Sequence, residues 1–316
     1  MIRSAHETRL PGRIHVNTKT IAFAAAFLLG LACTLTGCSN RDPLRGGGGS
    51  GDGTIVVGSQ DYYSNEIIAE IYAQALEEKG YSVDRQFLIG QREVYMPEVE
   101  SGRIGVIPEY TGSLLQYYRK NAASADAGQI HEQLAKALPK GLTLLDQSEA
   151  TDQDSYVVTK EFAKKHSLES IGDLARVRGL KLGGNSELET RPFGPKGLKS
   201  VYGVDATFTP IEDSGGPLTL KALRSGQVQV VNIFSANPAL DAGDLVVLKD
   251  PKKMFMPSHV VPLTSGKLPA GAAAVLNRIS AELTAEDLVS MNAESVDKGK
   301  PAATIASDWL EKHDVA

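Results

Sequence analysis

The chain has 316 residues, 42% of them hydrophobic and 22% charged, with a net charge of −5. That composition suffices for one large or two modest globular domains, and it excludes a largely disordered chain. It also disfavours nucleic acid as a partner, because no cluster of lysine and arginine interleaved with aromatics occurs.

At the N-terminus, Arg3, Arg9, Arg13 and Lys19 precede an apolar run from Ile21 to Ala32. The run is shorter than the roughly 18 to 20 residues of a membrane-spanning helix, so residues 1–37 read as a signal peptide. Leu35-Thr36-Gly37-Cys38 closes it and resembles the lipobox of bacterial lipoproteins, which implies that cleavage leaves a lipidated Cys38 as a membrane anchor on the extracytoplasmic face. With Cys33 removed, no disulfide framework and no cysteine metal site can form. Taking four basic and one acidic residue from totals of 33 and 38 leaves 29 against 37, a net charge of −8. Residues 38–53 are polar and glycine-rich and are expected to form a flexible tether.

From Thr54 the pattern alternates. Residues 54–58 read as a strand. Residues 65–79 carry apolar side chains at helical spacing, with Ser64 as N-cap and Gly80 as stop. A strand near 82–88, a helix over 92–100 and a Ser-Gly turn lead to a strand at Ile104, Val106 and Ile107, bounded by Pro108, after which Glu109, Tyr110, Thr111 and Ser113 enter a loop. This β-α-β-α-β order belongs to an open parallel sheet. A helix near 129–138 and a strand near 142–147 follow.

The order then returns, with strands near 180–183, 206–211 and 227–233 separated by helices ending near Tyr202 and Arg224. Residues 98–108 and 222–232 occupy equivalent places: helix end, Ser-Gly turn, apolar strand. The strands end at Tyr110 and Phe234, so two facing lobes would line one cleft with them; the alternative is two copies of a common unit with no shared cleft. Helices near 270–283, 285–296 and 302–312 close the chain, with the single tryptophan, Trp309, on an apolar face as packing.

Catalytic chemistry finds little here. No G-x-S-x-G elbow occurs, no pair of histidines has metal-ligand spacing, and the paired glycines precede no Lys-Ser/Thr. Binding without turnover, cofactor or metal fits the residues better than an enzyme does.

The stretches VGSQDYYSNEIIAEIYAQALEEKGY, REVYMPEVESGRIGVIPEYTGSLL, Arg191 with GPKGLKSVYG, DLVVLKDPKKMF and IASDWL resemble the substrate-binding lipoproteins of ABC importers for osmoprotectants such as glycine betaine, choline and carnitine. The resemblance spans residues 54–310. It implies an α/β, type II-like periplasmic-binding-protein fold with two crossover segments, one lobe from residues 54–154 and 256–316 and the other from 155–255. It further implies a monomer that takes a small solute and hands it to a membrane permease.

In that family a quaternary ammonium sits among tyrosines and its carboxylate is held by Lys, Thr and Arg, as cation–π attraction and charge pairing require. The resemblance carries these roles to Tyr110, Tyr156 and Asp154 around the cation and to Arg191 at the carboxylate, with Ser113 where threonine is common. Arg191 and Asp154 have the alternative of pairing with each other. Three positions depart: Phe234 and Ser258 stand where cage tyrosines are expected, and Gln60 replaces a lysine. With His259 at the polar edge, these departures leave open a neutral or aromatic polar ligand, or a ligand sensor that does not transport.

Overall fold

The computed structural model describes residues 53–313 and Val315. The signal peptide, Cys38 and nearly all of the tether lie outside the described residues. Among those described, no helix is long and apolar enough to cross a membrane.

The first lobe opens with β1 (Ile55–Gly58), α1 (Tyr63–Glu78), β2 (Val83–Gln86), α2 (Arg92–Glu100), β3 (Val106–Tyr110), α3 (Thr111–Tyr118), α4 (Ala127–Ala137) and β4 (Leu142–Leu144). The second contains β5 (Asp154–Thr159), α5 (Lys160–His166), β6 (Leu180–Gly184), α6 (Pro195–Tyr202), β7 (Ala206–Pro210), α7 (Pro217–Arg224), β8 (Val230–Phe234) and β9 (Leu245–Val247). The chain then returns through β10 (Val260–Ser265) to α8 (Ala272–Glu282), α9 (Ala285–Lys298) and α10 (Ala302–His313). Two five-stranded sheets result, in the orders β2-β1-β3-β10-β4 and β7-β6-β8-β5-β9. β3 and β8 hold the same place in their sheets, as the repeated Ser-Gly-strand pattern anticipates.

Neither sheet is wholly parallel. The chain passes between the sheets twice, and the strand it enters after each passage, β5 or β10, runs antiparallel to its neighbours. β5 already begins at Asp154, which pairs with Phe234, one residue before the expected boundary. The two passages lie side by side, with a bridge between Thr151 and His259 and the Asp152 N–H donating to the Ser258 carbonyl at 3.2 Å.

Both faces of each sheet are covered, and strand alternation decides which residue goes where. In β1, Ile55 and Val57 face the core beneath α1, α8 and α10, while Val56 faces the one beneath α2 to α4. In the second lobe Tyr156, Val158 and Val230 face one core, and Val157, Val231 and Ile233 the other. Trp309 is buried in the first core.

Two local expectations are corrected. The N-cap of α1 is Tyr62, because the Ser64 hydroxyl donates to Asp152 instead of capping the helix. Pro108 lies within β3 and does not end it: it faces Pro262 of β10. Ladder bonds run at Thr111–His259 and Gly105–Ser265, so antiparallel alternation makes 108/262 a pair that exchanges no hydrogen bonds, where the missing N–H is harmless.

Candidate functional site

A cavity lies between the two sheets, lined from the first lobe by Gln60, Tyr62 and Tyr110 and from the second by Asp154, Arg191 and Phe234, among others. Measured by the centres of a water-sized sphere its volume is ≈ 60 Å³. One water needs about 10 to 15 Å³ on that measure, so the space suits a small solute of about four to six water-sized groups.

The first-lobe wall is built by a single asparagine. Asn65, in the first turn of α1, accepts from the Gln60 N–H at 2.8 Å and donates to the Pro108 carbonyl at 3.0 Å and the Tyr110 hydroxyl at 3.3 Å. It thereby ties the loop after β1 to the end of β3. Tyr62 then packs between Tyr110 and Phe234, with ring centroids 6.4 and 5.1 Å away and interplanar angles of 33° and 38°. The three rings touch one another and form one continuous wall.

Glu109 is fully buried and does not face the cavity. Its two oxygens accept a bidentate pair from Arg92, at 2.8 Å each, together with the Tyr95 hydroxyl and the Tyr110 N–H. Arg92 lines the cavity with its charge already matched. Gly112 admits the second crossing: a Cβ there would lie 2.5 Å from the Pro257 carbonyl oxygen and 2.7 Å from Ser258 Oγ.

Alternation builds the second-lobe wall. Val230, Asn232 and Phe234 share one face of β8, and Asp154, Tyr156 and Val158 the same face of β5. Near the middle of the strands that face is core, and at the ends it opens into the cavity. Asp154 therefore lines the cavity, accepting from the Ser113 hydroxyl at 3.4 Å, and burial raises its pKa against the pull of Arg191 and Arg92. Tyr156 sits two residues, about 6.6 Å, deeper. It is fully buried, its hydroxyl donates to the Phe193 carbonyl and its ring meets Phe255 edge-on at 5.1 Å. It holds Phe193, which does line the cavity.

Arg191 does not pair with Asp154 and leaves no free fork for a carboxylate. It reaches across to Glu93 of α2 through Nη1–Oε1 and Nη2–Oε2 contacts of 3.0 Å each. Burial and the nearby Arg92 lower its pKa, and Glu93 and Asp154 oppose that.

Ser258 and His259 also miss the cavity. The Ser258 hydroxyl accepts from the Ser113 N–H at 3.0 Å, and His259 Nδ1 lies 2.8 Å from the Ser148 carbonyl oxygen. As members of the second crossing they fix Ser113 and Thr111 from behind.

Sequence reasoning missed Tyr62, Arg92, Asp152, Glu187, Phe193 and Asn232, all of which line the cavity. Asn232 was available by counting back two from Phe234. Asp152 sits in the first crossing, where Oδ1 accepts from the Ala236 N–H at 2.9 Å and Oδ2 from the Ser64 hydroxyl at 3.2 Å. Burial outweighs both bonds and pushes its pKa up to about 7.

A family model described as the substrate binding domain of ABC-type glycine betaine transport systems matches residues 53–312. The chain is 25% identical over 308 residues to the carnitine transport binding protein OpuCC of Listeria monocytogenes, covering 93% of this chain and 97% of that protein. It is 25% identical over 276 residues to a glycine-betaine-binding protein of Pseudomonas aeruginosa, covering 82% and 88%. Among solved structures, that of a glycine betaine/carnitine/choline ABC transporter is similar with a TM-score of 0.66 and 25% identity over 83% of this chain and 99% of the other. Lactococcal OpuAC in its closed-liganded conformation with glycine betaine is similar in fold, with a TM-score of 0.61 and 17% identity over 83% and 97%.

Proposed function

The chain belongs to the family of substrate-binding domains of ABC-type glycine betaine transport systems, and from that premise we propose that it is a lipid-anchored extracytoplasmic receptor for a small cationic solute. The observation that carries this reading is the juxtaposition, in one small cavity, of the Tyr62–Tyr110–Phe234 wall with the carboxylates of Asp152 and Asp154. A cation against such rings gains on the order of 2 kcal/mol when desolvated, and buried carboxylates supply the opposite charge. Compared with the expected cage, Phe234 keeps the ring and loses the hydroxyl, Ser258 supplies no wall, and Tyr62 takes over as the central ring.

In this reading Cys38 holds a monomer at the membrane through residues 38–53, the closed lobes present the solute to a permease, and the solute leaves chemically unchanged. The decisive experiment is calorimetry with amines, betaines, neutral polyols and phenolic compounds. Cationic solutes are expected to bind at micromolar Kd and to be recovered intact. Binding by polyols or phenols alone would overturn the cation assignment, and turnover would overturn the receptor assignment.

A further inference from the structure

The arrangement in the cavity also selects among cations. Gln60 is 6% exposed, lines the cavity, and its Nε2 amide has no hydrogen-bond partner among the described residues. A buried amide N–H₂ left without a partner costs free energy, so a solute oxygen placed against it gains that amount back. From the other lobe Glu187 also lines the cavity, and its buried Oε2 likewise lacks a partner among the described residues. Its backbone belongs to the short helical turn Ser186–Glu189 that follows β6, and the side chain is half-buried.

The cationic groups are accounted for. Arg92 is matched by Glu109 and Arg191 by Glu93, so neither leaves a free fork. Unmatched charge in the cavity is therefore acidic, from Asp154 and Glu187 with Asp152 beside them. The aromatic wall is one-sided: centroids 5.1 and 6.4 Å apart are rings packed on each other, with no room for a cation between them. A fully methylated ammonium needs rings around it and can make no hydrogen bond. An ammonium that keeps an N–H can lean one side on the wall and donate from the other.

We propose that the solute is a small ammonium compound that retains at least one N–H, donated to Glu187, and carries an oxygen acceptor held by Gln60. This rests on the solute-receptor reading and narrows its ligand class. A charge-assisted hydrogen bond of this kind is worth about tenfold or more in affinity.

The test is calorimetry with two methylation series, ethanolamine to choline and glycine to glycine betaine, in which the oxygen is constant and only the N–H count changes. In at least one series Kd should stay within about threefold while any N–H remains and rise about tenfold or more at the last methyl. Glu187→Gln should shrink that last step below about threefold while leaving the affinity of the fully methylated compound unchanged, and Gln60→Leu should weaken every binding member. In the wild-type protein, fully methylated compounds binding as tightly as their N–H-bearing neighbours would overturn the inference and leave the receptor reading standing. No binding by either series would overturn both. A last step that survives in Glu187→Gln would overturn the role of Glu187.

Discussion

Arg191 of the second lobe grips Glu93 of the first through two contacts of 3.0 Å each. The side chain of Arg191 is 14% exposed and that of Glu93 46%, so the pair lies at the mouth of the cleft, where solvent screens it. A screened pair is worth up to about 1 kcal/mol, which is about fivefold in an equilibrium. Glu93→Gln is expected to raise the Kd of whichever solute binds by about that factor. The affinity of the wild type should fall with added salt more steeply than that of the variant, as calorimetry at several ionic strengths will show.

Arg92→Met is expected to destabilise the fold by about 3 to 5 kcal/mol, because it strands the fully buried Glu109 carboxylate without its partner. Urea unfolding measures this directly. Adding Glu109→Gln should restore most of the loss, and a double variant no more stable than the single one would show that the pair matters by its shape and not its charge.

Gly112→Ala forces a methyl toward the Pro257 carbonyl and Ser258 Oγ, at 2.5 and 2.7 Å. Overpacking of this kind costs about 1 to 3 kcal/mol. The melting temperature should drop, and solute affinity with it, because the displaced crossing also carries the Ser258 bond to Ser113.

Asp152 gives a pH signature. Its folded pKa, pushed up to about 7 by burial, exceeds its ordinary value of 3.8. Between those values the folded chain holds a proton that the unfolded chain has released. The contribution to stability is therefore fully present below about pH 4 and is lost as pH rises toward 7, with a slope of at most about 1.4 kcal/mol per pH unit. Asp152→Asn should remove that slope. Denaturation midpoints of both proteins at pH 5 and 8 decide the matter, and equal pH dependence in the two would refute it.

Fatty-acid labelling in cells should mark the wild-type protein and spare Cys38→Ala, with the variant released from the membrane fraction. Equal labelling would remove Cys38 as the anchor.

Much of the fold was legible because alternation and helical spacing survive burial: α2 spans residues 92–100 as read, and β3 and β8 fall in equivalent places. The failures share a cause, since each depended on a distant partner. Pro108 looks like a strand end until Pro262 stands opposite it, and Ser64 looks like a cap until Asp152 claims its hydroxyl. Of the named site residues, Gln60, Tyr110, Ser113, Asp154, Arg191 and Phe234 line the cavity. Tyr156 shares a strand face with Asp154, and the sequence does not show how far along that face the core extends. Glu93 gave no local sign of being the partner of Arg191 across 98 residues.

The stretch Pro108 to Gly112 also bears on how this receptor can be retuned. Glu109 is committed to Arg92, Tyr110 to Asn65, Thr111 to His259 and Gly112 to the space for Pro257. Nearly every change there is taxed by misfolding before it can alter recognition. Glu187 and Asn185, by contrast, sit on a short turn at the surface of the second lobe, outside its apolar cores. Libraries aimed at a biosensor for new solutes should therefore vary that turn and leave the first lobe alone.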